Sequence, residues 1–194
     1  MTLSASNLYS NKPVIFGSVI DFWSTAINNG GCLTEDSIAV ESLCLRLEEF
    51  CESELLMEKL ELACEVSSLV ADMCHSPLCL EKLADSSICE LLTVAYDNLP
   101  DAPLYMSNCV SVWEKLCPLQ TSLFCDIHIS YRLASFVEDN LHNEVVVIKA
   151  LNAVLALLKT SEGKEEFLGD ESVCESLVAS ILSPLLTSCS TLVG

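Results

Sequence analysis

The stretch Asp85-Ser86-Ser87-Ile88-Cys89-Glu90 recurs as Asp170-Glu171-Ser172-Val173-Cys174-Glu175, and a weaker copy, Asp126-Ile127-His128-Ile129-Ser130-Tyr131, lies between them. The three copies follow one another at a spacing of roughly 40 residues, which is typical of armadillo-sized helical repeats. A unit of that length cannot bury its own apolar face and has to stack on neighbouring units. The repeat therefore predicts an all-α fold built as a curved stack of helices.

Both strong copies also contain a signal for the start of a helix. Ser87 with Glu90, and Ser172 with Glu175, have the spacing of a capping box. In that arrangement the Ser side chain accepts a backbone N–H bond, and the Glu side chain reaches back to the N–H of the capping residue. Each copy is therefore expected to open a helix with its own serine.

The apolar pattern divides the chain into a leading segment and three units. Residues 1–53 show no clear repeat register and are predicted to form an N-terminal helical cap or degenerate repeat, because terminal repeats need a polar outer face. Residues 54–194 are predicted to hold the repeats, and 1–194 to form one continuous domain. The predicted segments are helices at Lys12–Asn28, Thr34–Phe50 and Leu56–Cys74, a second unit from Pro103 to Asn140, and a third from Asn143 to Ser183.

One helical segment carries the strongest family likeness: Asn143-Glu144-Val145-Val146-Val147-Ile148-Lys149-Ala150-Leu151-Asn152-Ala153-Val154-Leu155-Ala156-Leu157-Leu158. Because it is apolar nearly all round, Leu151 and Leu155 are predicted to be buried between repeats. Because of the length and the apolar pattern of its helical segments, the chain from about Glu54 to Ser183 resembles the armadillo/HEAT-like helical repeat family.

The resemblance implies a right-handed solenoid of about three armadillo-like repeats, with the long helices lining a concave groove. Armadillo repeats usually carry a glycine between their first two helices. Gly163 and Gly169 supply it only in part, and the first two units lack it. HEAT-like or irregular helical pairs therefore remain the alternative.

The charge of the chain restricts its partners. It has 28 acidic and 9 basic residues, for a net charge of −19. Such a field repels nucleic-acid phosphate and anionic lipid, so neither is expected as a partner. It favours a basic peptide or a basic protein surface. The simpler interpretation is that the acidic faces keep an apolar chain soluble.

Polar stripes on the three long helices are the candidate partner-binding site. Residues spaced three and four apart lie on one face of a helix. If these helices line a groove, it is acidic at one end and mildly basic at the other; the alternative is that each stripe is only a solvated face. The candidate residues are Glu58, Glu61, Glu65, Ser68 and Asp72 on the first helix, Ser107, Ser111 and Glu114 on the second, and Lys149, Asn152 and Lys159 on the third.

The stripes suggest a non-enzymatic scaffold or adaptor that binds a basic peptide or protein surface. Armadillo proteins of nuclear import hold basic peptides with Trp and Asn one turn apart on successive groove helices. Here Trp113 is followed four residues later by Cys117, which argues against that mode and predicts a core position for Trp113. The alternative is a regulatory module that clamps a folded enzyme or chaperone, as armadillo-type nucleotide-exchange factors do. A more distant alternative is an enzyme with an unrecognised cysteine site.

The twelve cysteines are expected to be reduced and structural. Met1–Ser10 has no charged, apolar leader pattern, so a cytoplasmic or nuclear location is expected, where disulfides are rare. Cys74-His75 with Cys79 lacks the paired spacing of zinc sites, and no metal or cofactor is expected. Cys125 and His128 are close in sequence, but a nucleophile also needs an arranged pocket.

The C-terminal stretch Ser176–Gly194 carries no charge. A membrane tail anchor is one interpretation of that stretch. Pro184 and the many Ser and Thr residues favour the other interpretation, in which the segment ends the last repeat.

Overall fold

The computed structural model describes residues 13–28, 36–53, 55–99, 102–169 and 171–179. Every regular element among them is a helix, which confirms the prediction of an all-α fold. The predicted helix starts at Lys12 and Thr34 and the expectations for residues 180–194 lie outside the described residues. The helices are α1 (Pro13–Asn28), α2 (Ser37–Cys51), α3 (Leu55–Glu58), α4 (Leu60–Met73), α5 (Pro77–Ala84), α6 (Ile88–Asn98), α7 (Pro103–Leu116), α8 (Thr121–Asp126), α9 (Ile129–Asp139), α10 (Glu144–Leu157), α11 (Ser161–Gly169) and α12 (171–179).

The order of helix lengths recurs along the chain. Short helices begin at Pro77, Thr121 and Ser161, and the long helices α4, α7 and α10 begin at Leu60, Pro103 and Glu144. Both series advance in steps of roughly 40 residues, the length of an armadillo-sized repeat. Among the described residues, the order of a short, a middle and a long helix occurs twice, from α5 to α7 and from α8 to α10.

The chain divides into two compact units, Met1–Val112 and Trp113–Gly194, with the division inside α7. In the first unit α1 packs on α4, and α2 packs on α3, α5 and α6. Asp36 caps α2 with side-chain bonds to the N–H groups of Ile38 and Ala39 at 3.0 and 3.3 Å. The buried apolar residues of α2 have the three-and-four spacing of a single helix stripe. They are Val40, Leu43, Cys44, Leu47, Phe50 and Cys51.

In the second unit α9 packs on α8 and α10, and α11 packs on α8 and α10. Gly163, at the start of α11, approaches the end of α10 so closely that a Cβ there would lie 2.7 Å from the carbonyl carbon of Leu157. Phe167, from the following turn of α11, is buried. A glycine is therefore required at this crossing because a side chain would overlap the backbone of Leu157.

Hydrogen bonds in both units join residues about one repeat apart. In the first unit Asn108 donates to Ser67 Oγ at 3.0 Å, across 41 residues of sequence. In the second unit Asn152 donates to Glu114 Oε1 at 2.8 Å, across 38 residues. These bonds join α7 to α4 in the first unit and α10 to the end of α7 in the second unit.

Three helix-level predictions need correction. The predicted helix Leu56–Cys74 is broken at Lys59, whose φ of −121° and ψ of 81° are not helical. Ser87 makes no side-chain bond into α6, so the capping box with Glu90 does not form. Instead, Glu48 Oε1 accepts from Ser87 N at 2.7 Å and from Ser87 Oγ at 3.0 Å. Ser172 lies inside α12.

The burial predicted for Leu151 and Leu155 is wrong. On α10, Leu155 is 57% exposed and Leu151 is half-buried, while Ala153 and Leu157 are fully buried. When a helix has apolar residues on several faces, its sequence alone does not show which face the neighbouring helices cover.

Candidate functional site

The acidic stripe of the first long helix is exposed. Glu61, Glu65 and Ser68 are exposed on α4, and Glu58 is exposed at the end of α3. Asp72, one turn beyond Ser68, is half-buried. The break at Lys59 leaves Glu58 and Glu61 beside the same cleft. The structure therefore brings together the three glutamates of this stripe.

Helix α1 forms the other wall of this site. The cleft that Glu58, Glu61 and Glu65 line has a volume of about 400 Å³ and is bordered by Gly17 of α1. A Cβ on Gly17 would lie 3.5 Å from Glu65 Oε2, so the two helices approach closely at this point. The site therefore lies between two packed helices.

A second cleft, of about 550 Å³, shares Leu60, Glu61 and Glu65 with the first. Asp21 of α1 adds a fourth carboxylate, and the rest of the lining is apolar or small. It consists of Ile20, Ser24, Cys64, Ser68 and Leu104. We call Asp21, Glu58, Glu61 and Glu65, with the two clefts, the acidic face.

The carboxylates of the acidic face act on one another. Partial burial raises the pKa of Glu65, and the negative charges of Asp21 and Glu61 raise it further. Like charges four residues apart on a helix repel. The negative charge of Glu65 is therefore disfavoured in the protein alone, and a positive charge placed beside it would relieve this effect. Lys59, which also lines the first cleft, is the one basic residue in the two linings.

The candidate residues on α7 are partly engaged in bonds of the fold. Ser111 Oγ donates to the carbonyl of Ser107 at 3.0 Å, one turn earlier in the same helix. Both residues are half-buried and belong to the first unit. A Ser hydroxyl that bonds its own helix in this way is a common internal arrangement. The Ser111 hydroxyl is therefore engaged within its own helix.

The remaining candidates lie in the second unit. Glu114 Oε1 accepts the bond from Asn152, and Lys115 Nζ lies 4.0 Å from Glu114 Oε2. Lys149 is half-buried, whereas Asn152 and Lys159 are exposed. The structure thus pairs Glu114 with Asn152 rather than leaving them as separate polar groups.

Trp113 is fully buried, which confirms its predicted place in the core. The turn before α9 has an unusual residue, because His128 has a positive φ of 52°. Its side chain is exposed. The stretch from Cys125 to Ser130 is therefore the end of α8, a tight turn and the start of α9.

The thiols of Cys44, Cys51 and Cys125 are poor nucleophiles. The ten cysteines among the described residues are thiols rather than disulfides. Burial raises the pKa of Cys44 and of Cys51 to about 12. The pKa of Cys125 also rises to about 12, through burial first and then a hydrogen bond to Glu166 and the charge of that carboxylate. Thiolate, the reactive form, is therefore scarce at neutral pH in these three residues.

The described part of the chain contains neither a metal-binding cluster nor a helix suited to crossing a membrane. No cluster of three or more His, Cys, Asp or Glu side chains there is arranged to hold a metal ion. Among the same residues, no helix has both the length and the apolar character needed to cross a membrane.

Sequence reasoning missed the contribution of α1. Gly17, Asp21 and Ser24 have the four-and-three spacing of one helix face, which is a readable signal. The leading segment lacked a repeat register, however, so nothing in the sequence placed that face against α4. Tertiary packing alone adds Asp21 to the three predicted glutamates.

Comparison with known proteins gave no relatives: no family model, no curated protein and no solved structure matches this chain.

Proposed function

We propose that this protein is a non-enzymatic scaffold of armadillo-like repeats that binds a basic protein segment on its acidic face. The observation that carries the proposal is the convergence of Asp21, Glu58, Glu61 and Glu65 on two clefts that share lining residues. Repulsion within this group does not help folding. A cationic ligand turns the same charges into attraction.

The lining of the clefts fits lysine and arginine side chains. These side chains bury their aliphatic stems along apolar surface while the charged head stays near polar groups. Ile20, Leu60 and Leu104 supply apolar surface next to the carboxylates. An extended or helical segment with several basic residues therefore matches both the charge and the apolar character of the site.

The recurrence of helix lengths supports the repeat part of the proposal. The long helices begin at Leu60, Pro103 and Glu144, at nearly equal intervals. The bonds from Asn108 to Ser67 and from Asn152 to Glu114 span 41 and 38 residues, which is close to the same interval. Repeat proteins of this kind use an extended face for binding rather than a deep pocket.

The thiols support the non-enzymatic part of the proposal. A pKa of about 12 for Cys44, Cys51 and Cys125 leaves these residues protonated at neutral pH. Catalytic cysteines have the opposite property, a lowered pKa in an electropositive setting.

A comparison of three baits tests the proposed function. The wild type, Glu61→Lys/Glu65→Lys and Glu81→Lys/Glu90→Lys are used to capture proteins from cell extract, with quantitation by mass spectrometry. Glu81 and Glu90 are exposed residues of α5 and α6, outside the clefts. Both double variants change the net charge from −19 to −15, so they are matched in total charge.

We expect specific partners with basic segments to be lost from the Glu61→Lys/Glu65→Lys bait and kept by the control bait. Partners captured equally by all three baits would overturn the proposal for the acidic face. Such a result would instead favour the alternative function, in which the protein clamps a folded partner through another surface.

A further inference from the structure

Two exposed leucines line the second cleft of the acidic face. Leu104 of α7 is 61% exposed, and Leu60 at the start of α4 is 44% exposed. Ile20 of α1, which is buried, and Cys64 of α4, which is half-buried, complete the apolar part of the lining. The cleft therefore has an apolar part that the described residues leave exposed, and such surface is typical of a binding site.

Hydrogen bonds between α7 and α4 explain why the two leucines lie together. Asn108 of α7 donates to Ser67 Oγ at 3.0 Å and to the carbonyl oxygen of Cys64 at 3.4 Å. Leu104 precedes Asn108 by four residues, so it lies one turn away on the same face of α7. Leu60 precedes Cys64 by the same number on α4. The positions of both leucines are thus fixed by bonds of the fold.

Carboxylates lie beside this apolar part. The charged residues in the lining of the second cleft are all acidic: Asp21 of α1 with Glu61 and Glu65 of α4. Glu61 and Glu65 are exposed and one turn apart, which is about 6 Å along a helix axis. Basic residues one turn apart on a partner helix have the same spacing.

A basic segment without apolar residues would leave much of this cleft unused. Its cationic groups would reach the carboxylates, but Leu60 and Leu104 would stay in water. A large apolar side chain placed on the two leucines would bury apolar surface of both partners, which favours binding and depends on salt much less than charge attraction does. Apolar anchors enclosed by a polar rim are typical of the centre of an interface.

We propose that the partner of the acidic face is an amphipathic helix that places a large apolar side chain on Leu60 and Leu104. Basic residues one turn before and after this anchor pair with the carboxylates of Asp21, Glu61 and Glu65. Helices that bind in grooves use anchors with this spacing of three or four residues. The inference rests on the proposed function, since it specifies the partner of the same face, and it gives Leu104 a role in specificity.

Two labelled peptides test the inference by fluorescence anisotropy at physiological salt. Both are alanine-based helices with the same lysines, and they differ at one central position, which is leucine in one peptide and glutamine in the other. Leucine and glutamine have similar helix propensities, so the two peptides are matched in helicity as well as in charge.

The proteins compared are the wild type, Leu104→Gln, Leu45→Gln and Glu61→Lys/Glu65→Lys. Leu45 of α2 is 57% exposed and lines neither cleft, which makes it a matched control for Leu104. Because both leucines are exposed, each glutamine variant should keep the Tm of the wild type within about 2 °C.

We expect the wild type and Leu45→Gln to bind the leucine peptide at least about tenfold more tightly than the glutamine peptide, as burial of one leucine implies. Leu104→Gln should reduce this preference to less than about threefold. Glu61→Lys/Glu65→Lys should weaken the binding of both peptides, because it removes the charge attraction that they share.

The outcomes separate this inference from the proposed function. Equal affinity of the wild type for the two peptides, with both weakened by Glu61→Lys/Glu65→Lys, would overturn the apolar anchor and leave the proposed function intact. Affinities that the charge reversal does not change would count against the proposed function itself. A full preference for the leucine peptide in Leu104→Gln would place the apolar contact elsewhere. A wild-type dimer that Leu104→Gln converts to a monomer would assign the leucines to self-association, and either result would overturn the inference.

Discussion

Glu65 is the residue of the acidic face whose pKa is raised by the neighbouring charges. It lies between Glu61 on its own helix and Asp21 on α1, and its pKa is raised by partial burial and by both charges. A raised pKa in the folded state means that folding favours the neutral carboxyl. This residue therefore adds to stability below the unfolded-state pKa and loses that contribution as the pH rises through the folded-state pKa.

The first prediction is that Glu65→Gln is more stable than the wild type at pH 7. Gln keeps the size of the side chain and removes the charge that the folded state disfavours. The difference in unfolding free energy between the two proteins should shrink as the pH falls through the raised pKa. It should vanish below the ordinary pKa of 4.5, where Glu65 is neutral in the folded and the unfolded state. Urea unfolding at a series of pH values measures it. Equal stability at pH 7, or a gap that grows towards acid pH, would contradict this assignment.

Cys125 gives a second prediction at the same scale. Its pKa of about 12 depends partly on the hydrogen bond to Glu166 and on the charge of that carboxylate. Glu166 Oε1 also accepts from Ser130 Oγ at 2.6 Å, and a glutamine oxygen can keep that bond. Glu166→Gln should therefore lower the pKa of Cys125 and speed its alkylation by iodoacetamide at pH 8, read by peptide mass spectrometry.

In the wild type, Cys44, Cys51 and Cys125 should all be alkylated much more slowly in the native protein than after denaturation. A native rate equal to the denatured rate at any of them would show an activated thiol and would reopen the enzyme hypothesis.

At the scale of elements, the start of α6 depends on a distant residue. Glu48 of α2 accepts both bonds from Ser87, and a carboxylate also interacts favourably with the positive end of a helix. Loss of a cap of this kind costs about 1 kcal/mol. Glu48→Ala should therefore lower the unfolding free energy by that amount, whereas Glu90→Ala should change it by less than about 0.5 kcal/mol. If chemical denaturation shows a larger loss of unfolding free energy for Glu90→Ala than for Glu48→Ala, the capping box of Ser87 and Glu90 would be the correct assignment.

The two glycines of α11 form a matched pair. A Cβ at Gly163 would overlap the backbone of Leu157, whereas a Cβ at Gly169 would meet no atom within 4 Å. Gly163→Ala should cost about 1–3 kcal/mol through overpacking. Gly169→Ala should cost less than about 1 kcal/mol or be slightly stabilising, which thermal unfolding can measure. A neutral Gly163→Ala would mean that α11 does not cross α10 as closely as described.

The element-level results show what the sequence can predict. Helix positions followed from the three-and-four spacing of apolar residues. The break at Lys59 and the cap from Glu48 could not be read, because both depend on packing between segments distant in sequence. On α10 the apolar residues surround the helix, so the sequence could not tell the exposed Leu155 from the buried Leu157.

For the whole molecule, the all-helical class and the charge were visible in the sequence, and the composition of the acidic face was visible only in part. Glu58, Glu61 and Glu65 were predicted from their spacing on one helix. Asp21 joins them only because α1 packs on α4. Periodicity describes neighbours along one helix, whereas a site between helices also depends on which helices meet.

The central claim is that the acidic face binds basic segments by charge and shape together. The most direct measurement is fluorescence anisotropy of a labelled lysine- and leucine-containing helical peptide, titrated with the wild type, Glu61→Lys/Glu65→Lys and Glu81→Lys/Glu90→Lys at low and physiological salt. We predict that the variant on the acidic face weakens binding at least about tenfold, that the control of equal net charge weakens it by less than about threefold, and that added salt weakens the wild type. Equal loss in both variants would mean that only the overall charge attracts the peptide, and the claim for the acidic face would be wrong.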